Sequence, residues 1–326
     1  FADGFQLTKN ARLIAISSKN KSKIIKFKNK FQIDDDFCFS DYESLLKCQD
    51  LDIVYIALPH SLHYEWVIKS IEKGKNILVE KPATINFLQM LNIKKKLENK
   101  NIFFSEAFMY RYHPQIRNIV DLLKKDKAIG SLLSMESCFG FDALGSKKVF
   151  GIKFKKKPDE NNRLFNKELG GGAILDIGCY PVSFSIFVAS LISKVDYNKI
   201  EILNKKKEIG KTGVDLNSFI ELNFDNNFKS AINVSLTKNL GKKTKIIGTE
   251  GELVIEDTWS PINISRVNII GKNKKKIETK CHNNIYAYQI DALSDCILQN
   301  KKEPTFPGMT INETIENMKI LDKWLN

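Results

Sequence analysis

Several features on which a fold or a function can be built are scarce in this 326-residue sequence. Its six cysteines (Cys38, Cys48, Cys138, Cys179, Cys281 and Cys296) form no CxxC pair and no framework spacing. That excludes a disulfide-stapled scaffold and a zinc ribbon, and the thiols read as reduced ones of a cytoplasmic protein. No apolar run approaches the roughly 18 residues that span a bilayer, so no integral membrane protein is expected. There is no basic–apolar–small leader, no P-loop, no GxSxG elbow and no HExxH pair. His60 and His63 have no matching Cys or His pair, so no metal is expected. Arginine is also scarce, at five of 51 basic residues. A net charge of +13 would suit nucleic acid. However, the lysines are scattered and make poorer phosphate forks than arginine, and runs such as Lys94-Lys95-Lys96 and Lys274-Lys275-Lys276 read as solvated faces or turns. Neither nucleic acid nor membrane is expected as a partner.

What is present is ordinary globular composition, 43% hydrophobic and 27% charged, at a length that suggests two domains. Up to residue 106, short apolar strands (12–17, 51–58, 76–80, 101–105) alternate with helical stretches, the pattern of a parallel α/β sheet. Ser40-Asp41-Tyr42-Glu43 has capping-box spacing, Ser61 can cap a helix to about Lys73, and Asn86 opens the next. Pro114 suits the first position of a helix ending near Lys125. Beyond it, period-two alternation in 131–140, 199–204, 217–224, 228–236, 243–248 and 262–270 predicts a large, mostly antiparallel sheet with one covered face. Helices near 172–192, 285–299 and 310–325 are expected to cover it. The expected domains are 1–106 and 107–326.

Ligands of an open parallel sheet bind beyond the carboxyl ends of its strands. Those ends carry Ser17-Ser18-Lys19, Pro59-His60, Glu80-Lys81-Pro82 and Ser105-Glu106. Lys81, between an acid and a proline, reads either as a site residue or as a surface partner of Glu80. Gly170-Gly171-Gly172 precedes a helical stretch and would leave amide N–H groups free there. On that helix Asp176 and Tyr180 share a face at i, i+4, and Pro181 predicts a kink at Tyr180. The bland alternative is a core helix with a satisfied tyrosine and a capping aspartate.

Three segments in register, IALPHSLHYEWVIKSIEKGKNILVEKP, SEAFMYRYHPQ and ELGGGAILDIGCYP, resemble the Gfo/Idh/MocA oxidoreductases, most of all the glucose–fructose oxidoreductase and dihydrodiol or xylose dehydrogenase branch. The resemblance implies a Rossmann-type domain that binds NADP or NAD, followed by an α+β domain. The family's first strand and GxGxxG loop are expected to precede Phe1, so that this chain, as an N-terminally truncated form, would bind dinucleotide poorly. The family's Glu-Lys-Pro falls on Glu80, Lys81 and Pro82, and its Asp-x-x-x-His on Asp176 and Tyr180, where Tyr replaces the commoner His. Hydride transfer to or from a sugar, sugar derivative or dihydrodiol is implied. Tyr180 would be the acid/base, Lys81 would lower its pKa, and Asp176 would orient substrate or Lys81. Cofactor contacts are expected from Ser17, Ser18, Lys19, Ala57, Leu58, Pro59, His60, His63, Glu80, Lys81, Pro82 and Arg111. Substrate contacts are expected from His113, Arg163, Asp176 and Tyr180. The absence of an acid in Ser17-Ser18-Lys19 favours NADP. A homodimer is expected through the open face around Ala231, Asn233 and Ser235. The alternative is a non-catalytic dinucleotide- or sugar-binding sensor on the same fold.

Overall fold

The computed structural model of the chain describes residues 1–149, 152–272 and 274–326. β1 (Ile16–Ser17) pairs in parallel with β2 (Cys38–Phe39), and β3 (Ile53–Ile56), β4 (Asn76–Val79) and β5 (Phe104–Glu106) form a second parallel ladder in that order. Helices α1 (Lys21–Phe31), α2 (Tyr42–Lys47), α3 (His60–Glu72) and α4 (Phe87–Leu97) alternate with these strands. Local chemistry sets their starts. Asn86 caps α4 by accepting from the Gln89 N–H at 3.0 Å, as its spacing suggested. Asp41, not Ser40, caps α2, accepting from the Ser44 N–H at 2.8 Å. α3 starts at His60, directly behind Pro59, one residue before the expected cap Ser61.

Pro114 occupies the first turn of α5 (Pro114–Val120), which runs into a π-turn over Asp121–Lys125. The sheet that follows has eight strands: β6 (Leu132–Gly140), β9 (Glu201–Ile209), β10 (Asp215–Asn223), β11 (Lys229–Ser235), β12 (Thr244–Gly248), β13 (Gly251–Ile255), β14 (Ile264–Gly271) and β15 (Lys275–Lys280). A hairpin of β7 (Ser146–Val149) and β8 (Ile152–Lys155) stands apart. The strand order is β15-β14-β13-β12-β6-β11-β10-β9, antiparallel except for the β6–β11 pair. Phe228, Ser230, Ile232, Val234 and Leu236 are buried together, while Lys229 and Asn233 are exposed, as period two requires.

The covered face meets α6 (Cys179–Ile192), which continues a π-turn over Ile174–Gly178. Val182, Phe184, Ile186, Phe187 and Val188 are buried on it, each worth about 1.5–3 kcal/mol of transfer free energy. The segment Ile174–Ile192 is in fact long and apolar enough to cross a bilayer, contrary to the sequence reading, but 94% of its 18-residue window is buried inside the fold. It is the central core helix. α8 (Ile311–Leu325) stacks behind α6 and reaches α4 and β5, which ties the two halves together. α7 (Tyr286–Leu298) does not cover the sheet as expected. It packs on the turns Ala2–Leu7 and Met109–Tyr112. One apolar core runs from Val54 and Ile77 through Phe184 to Leu253.

Candidate active site

The carboxyl ends of β3 and β4 converge on the π-turn ahead of α6. The backbone after β4 forms a strap. Glu80 N–H donates to Ile56 O at 3.0 Å, and Lys81 N–H donates to the Glu80 carboxylate at 3.2 Å. From this strap Lys81 reaches inward, its side chain 13% exposed, and Nζ donates to the main-chain carbonyl of Asp176 at 2.6 Å. The Asp176 carboxylate is 6% exposed and draws three cations or potential cations together. Its Oδ1 accepts from Arg163 at 2.9 Å and lies 3.6 Å from Lys81 Nζ and 3.8 Å from His60 Nε2. A π-turn is a common device at functional sites, and here Pro181, five residues past Asp176, has no N–H to offer that carbonyl.

Charge states follow from this geometry. Burial alone would raise the Asp176 pKa, but Lys81 and Arg163 hold it below the usual carboxylate range. Burial alone would lower that of Lys81, but Asp176, Cys179 and Glu80 keep it above the usual lysine range. His60 is pushed down to about 3, by burial first and Lys81 second. It is therefore neutral at pH 7, with Nδ1 2.9 Å from the Gly170 carbonyl.

Tyr180 opens α6 beside this cluster. Lys81 Nζ lies 5.1 Å from its ring centroid, and its hydroxyl points to Met109 Sδ at 3.7 Å. Phe108, Phe139 and Trp259 ring it at 5.4, 5.4 and 6.0 Å between centroids. Burial first, then Glu80, holds Tyr180 well above the ordinary tyrosine range. Burial and the Glu80 charge outweigh the lowering expected from Lys81. The hydroxyl therefore keeps its proton throughout the neutral range.

Other expected residues fall differently. The glycine run does not present free amides: Gly171 and Gly172 donate to the carbonyls of Asn166 and Leu164, and Ile174 N–H donates to Asp215. The glycines serve close packing instead. A Cβ on Gly170, at φ +75°, would stand 2.9 Å from His60 Cβ, and one on Gly171 would stand 2.6 Å from the Arg163 carbonyl. Arg111 is not placed at the cofactor edge. Its buried guanidinium donates to Tyr110 Oη at 3.0 Å and to Ser183 O at 2.8 Å, and it pairs with Glu313 at 3.4 Å. Its donors are spent on the core. His113 lies away from the Lys81 cluster, capping α5 through the Gln115 N–H and packing on Tyr288. His63 is fully buried, with its two ring nitrogens 2.8 Å from Pro82 O and 2.8 Å from Leu58 O. Ala57 is exposed at the turn into α3, and Leu58 and Pro59 are half-buried. At the end of β1 the Ser17 hydroxyl is buried without a hydrogen-bond partner, Ser18 accepts from Asn20 N–H, and exposed Lys19 lies 6.0 Å from the Tyr42 ring centroid.

Two residues that sequence reasoning missed line the site. The Tyr55 hydroxyl donates to the Glu80 carboxylate. Tyr286, on the first turn of α7, is close enough to Glu80 and Lys81 to feel both charges. Nothing in the local pattern separates these tyrosines from core aromatics.

Residues 2–108 match the sequence profile of the "Oxidoreductase family, NAD-binding Rossmann fold", and residues 116–254 match the Gfo/Idh/MocA C-terminal domain. This chain belongs to the Gfo/Idh/MocA family. It is 28% identical over 316 residues to a trans-1,2-dihydrobenzene-1,2-diol dehydrogenase of Xenopus tropicalis, covering 94% of this chain and 87% of the relative. It is 25% identical over 287 residues to a dTDP-3,4-didehydro-2,6-dideoxy-alpha-D-glucose 3-reductase of Saccharopolyspora spinosa, covering 86% and 79%. Among solved structures it superposes with a TM-score of 0.82 on a 3-ketoreductase from Actinomadura kijaniata in complex with NADP and TDP-benzene, at 20% identity over 98% of this chain and 91% of that one. That last likeness speaks for the fold. As a member of the family, the chain is an NAD(P)-dependent dehydrogenase or reductase.

Proposed function

We propose that the chain reduces or oxidises a carbon–oxygen centre of a sugar, sugar derivative or dihydrodiol with NADP as cofactor. Tyr180 carries the proton and Lys81 is the neighbouring cation. The observation that carries this reading is the meeting of Lys81, Asp176 and Tyr180 at the carboxyl end of a parallel sheet. The names of the relatives support the substrate class. The nicotinamide, when bound, supplies or takes the hydride. Ser17, Ser18 and Lys19 would hold the ribose-phosphate end, and the orphaned Ser17 hydroxyl fits such a partner. Ala57, Leu58, Pro59, His60 and the strap from Glu80 to Pro82 would line the nicotinamide end.

Each protein group then has a defined task. Tyr180, held protonated, donates to the oxygen of a carbonyl as it becomes an alcohol and retrieves that proton in the reverse direction. Lys81 hydrogen-bonds the same oxygen and offsets its developing charge. Asp176 aims Lys81, and half-exposed Arg163 faces incoming substrate. Residues 1–106 form the cofactor domain and 107–326 the substrate domain of a cytoplasmic homodimer joined through the sheet face of Ala231 and Asn233; Ser235, expected on that face, is buried instead, its hydroxyl donating to Asn217. Support for that face comes from Phe219, which is only half-buried on it, and from charges that pair within it, such as Lys245 with Glu136 at 3.3 Å. Consumption of NADPH on addition of aldoses, ketosugars or dihydrodiols tests the activity. Binding of cofactor and sugar with no turnover would establish a sensor instead.

A further inference from the structure

Two buried groups take no part in the chemistry above, yet both hold the backbone that carries Lys81. From β5, Glu106 (2% exposed) accepts the Ala83 N–H at 2.9 Å through Oε1, while its Oε2 has no hydrogen-bond partner. From α3, His63 (0% exposed) stands 2.8 Å from the Pro82 carbonyl. Burying a carboxyl costs several kcal/mol unless it is well paired. Burial pushes Glu106 up to about 7, against the opposing pull of the Ala83 N–H, Thr314, Lys81 and Arg111. An apolar residue would fill the space at less cost, but it would leave the Ala83 N–H without this acceptor.

We propose that Glu106 and His63 are positioning residues that clamp the strap from Lys81 to Ala83 at the two ends of one peptide group, the Pro82 carbonyl and the Ala83 N–H, fixing the direction in which the Lys81 side chain leaves the backbone. Lys81 has four side-chain torsions and reaches Asp176 across the domain junction. Its ammonium can be held in place only if the backbone it starts from is fixed. Glu80 holds the Lys81 N–H from within the strap, while His63 on α3 and Glu106 on β5 meet the carbonyl and the N–H of the one Pro82–Ala83 peptide group from two different elements. The inference rests on the reading of Lys81 as the working cation for its meaning in turnover, but the clamp itself can be read without turnover.

The test is trace acylation of lysines with acetic anhydride in the full chain, followed by peptide mass spectrometry. Lys75 serves as the internal reference, since it is buried elsewhere with its ammonium on the Cys48 carbonyl. Glu106→Leu should raise Lys81 labelling about tenfold relative to Lys75, as expected of a local release. His63→Leu should raise it as well. Glu106→Gln keeps an acceptor for the Ala83 N–H and should restore the parent ratio. If Glu106→Leu does not fold, Glu106→Asp, which shortens the arm by one methylene, takes its place with the same expectation. A Lys81-to-Lys75 ratio unchanged in folded Glu106→Leu (or Glu106→Asp) and His63→Leu would overturn the clamp, as would a Glu106→Gln ratio as high as that of Glu106→Leu.

Discussion

Lys81 Nζ donates to the main-chain carbonyl of Asp176 at 2.6 Å while standing 3.6 Å from the carboxylate of the same residue. One aspartate thus offers the lysine both a dipole and a charge, and the ammonium is fixed in position as well as kept protonated. Arg163 shares the carboxylate from the exposed side. The cluster sets Lys81 and Arg163 on one carboxylate, with Glu80 as a second acid behind Lys81.

Replacing Tyr180 by Phe keeps the ring among Phe108, Phe139 and Trp259 and removes only the hydroxyl. We expect kcat to fall by roughly 10²–10⁴, with cofactor affinity little changed. Stability should also hold, since the hydroxyl donates only to a thioether, at 3.7 Å. Turnover per folded molecule, measured beside a urea titration, checks both; full activity in Tyr180→Phe ends the assignment.

Lys81→Met should cost at least as much turnover as Tyr180→Phe. If the two act as one unit, the double variant should be scarcely worse than the worse single one. Fully multiplicative losses would show that they act separately.

Arg111→Met is predicted to damage the fold and not the chemistry. It strands Glu313 and leaves the Ser183 carbonyl without its guanidinium donor. Breaking a buried pair from one side costs about 3–5 kcal/mol, read as a lower denaturation midpoint. The kcat and cofactor KM of the surviving folded fraction should be near normal. A selective rise in cofactor KM with unchanged stability would return Arg111 to the cofactor site.

Acid should destabilise the protein earlier than its carboxylates alone would dictate. Burial holds His60 and His113 down to about 3 and about 4, whereas both take up protons near pH 6.5 when unfolded. Below that pH these two groups bind more protons in the unfolded state, so their contribution to stability falls, by about 1.4 kcal/mol per pH unit for each until its folded value is reached, while Glu106, held up at about 7, works in the opposite direction. Asp176 acts at lower pH. Its contribution is present above its unfolded value near 3.9 and is lost as pH falls through its depressed folded one. His113→Asn keeps a capping acceptor for Gln115 and removes one titration. Urea midpoints between about pH 6.5 and about pH 4.5 should therefore decline less steeply in this variant, and an equally steep decline would refute the role given to His113.

Lys19→Glu should shift preference from NADP towards NAD. An acid there would repel the 2′-phosphate and accept from the free ribose hydroxyl. The ratio of kcat/KM for the two cofactors is the readout, and an unmoved ratio would show that Lys19 does not reach that phosphate.

Much of this was legible in the sequence because the signals were local. Asn86, Pro114 and the alternation of residues 228–236 each act through their own neighbours, and all three mark elements that formed. What escaped depends on partners distant in the chain. The charged run Lys274-Lys275-Lys276 read as a solvated face or turn, yet Lys275 and Lys276 belong to β15 at one edge of the large sheet. There one neighbouring strand suffices and lysine is well tolerated. Residues 12–17 looked like a full strand, but only Ile16 and Ser17 find ladder partners. The three glycines suggested an anion cradle, whereas their amides meet carbonyls of a loop only a few residues upstream. At the site, Lys81, Asp176 and Tyr180 stood out by residue type and spacing. The raised pKa of Tyr180 and the internal fate of Arg111 follow from burial, which no local spacing encodes.

The seating of Tyr180 constrains how such a protein can diverge. Its helix is deeply enclosed, with all but two residues of Cys179–Ile192 buried. Changes accumulating at the surface leave the proposed proton donor where it is, while changes around it disturb folding before they alter chemistry. New substrate preferences are most readily acquired from the accessible rim, where half-exposed Arg163 can be exchanged without repacking the interior. The reaction type is thus inherited with the core, and the choice of substrate is left to the edge.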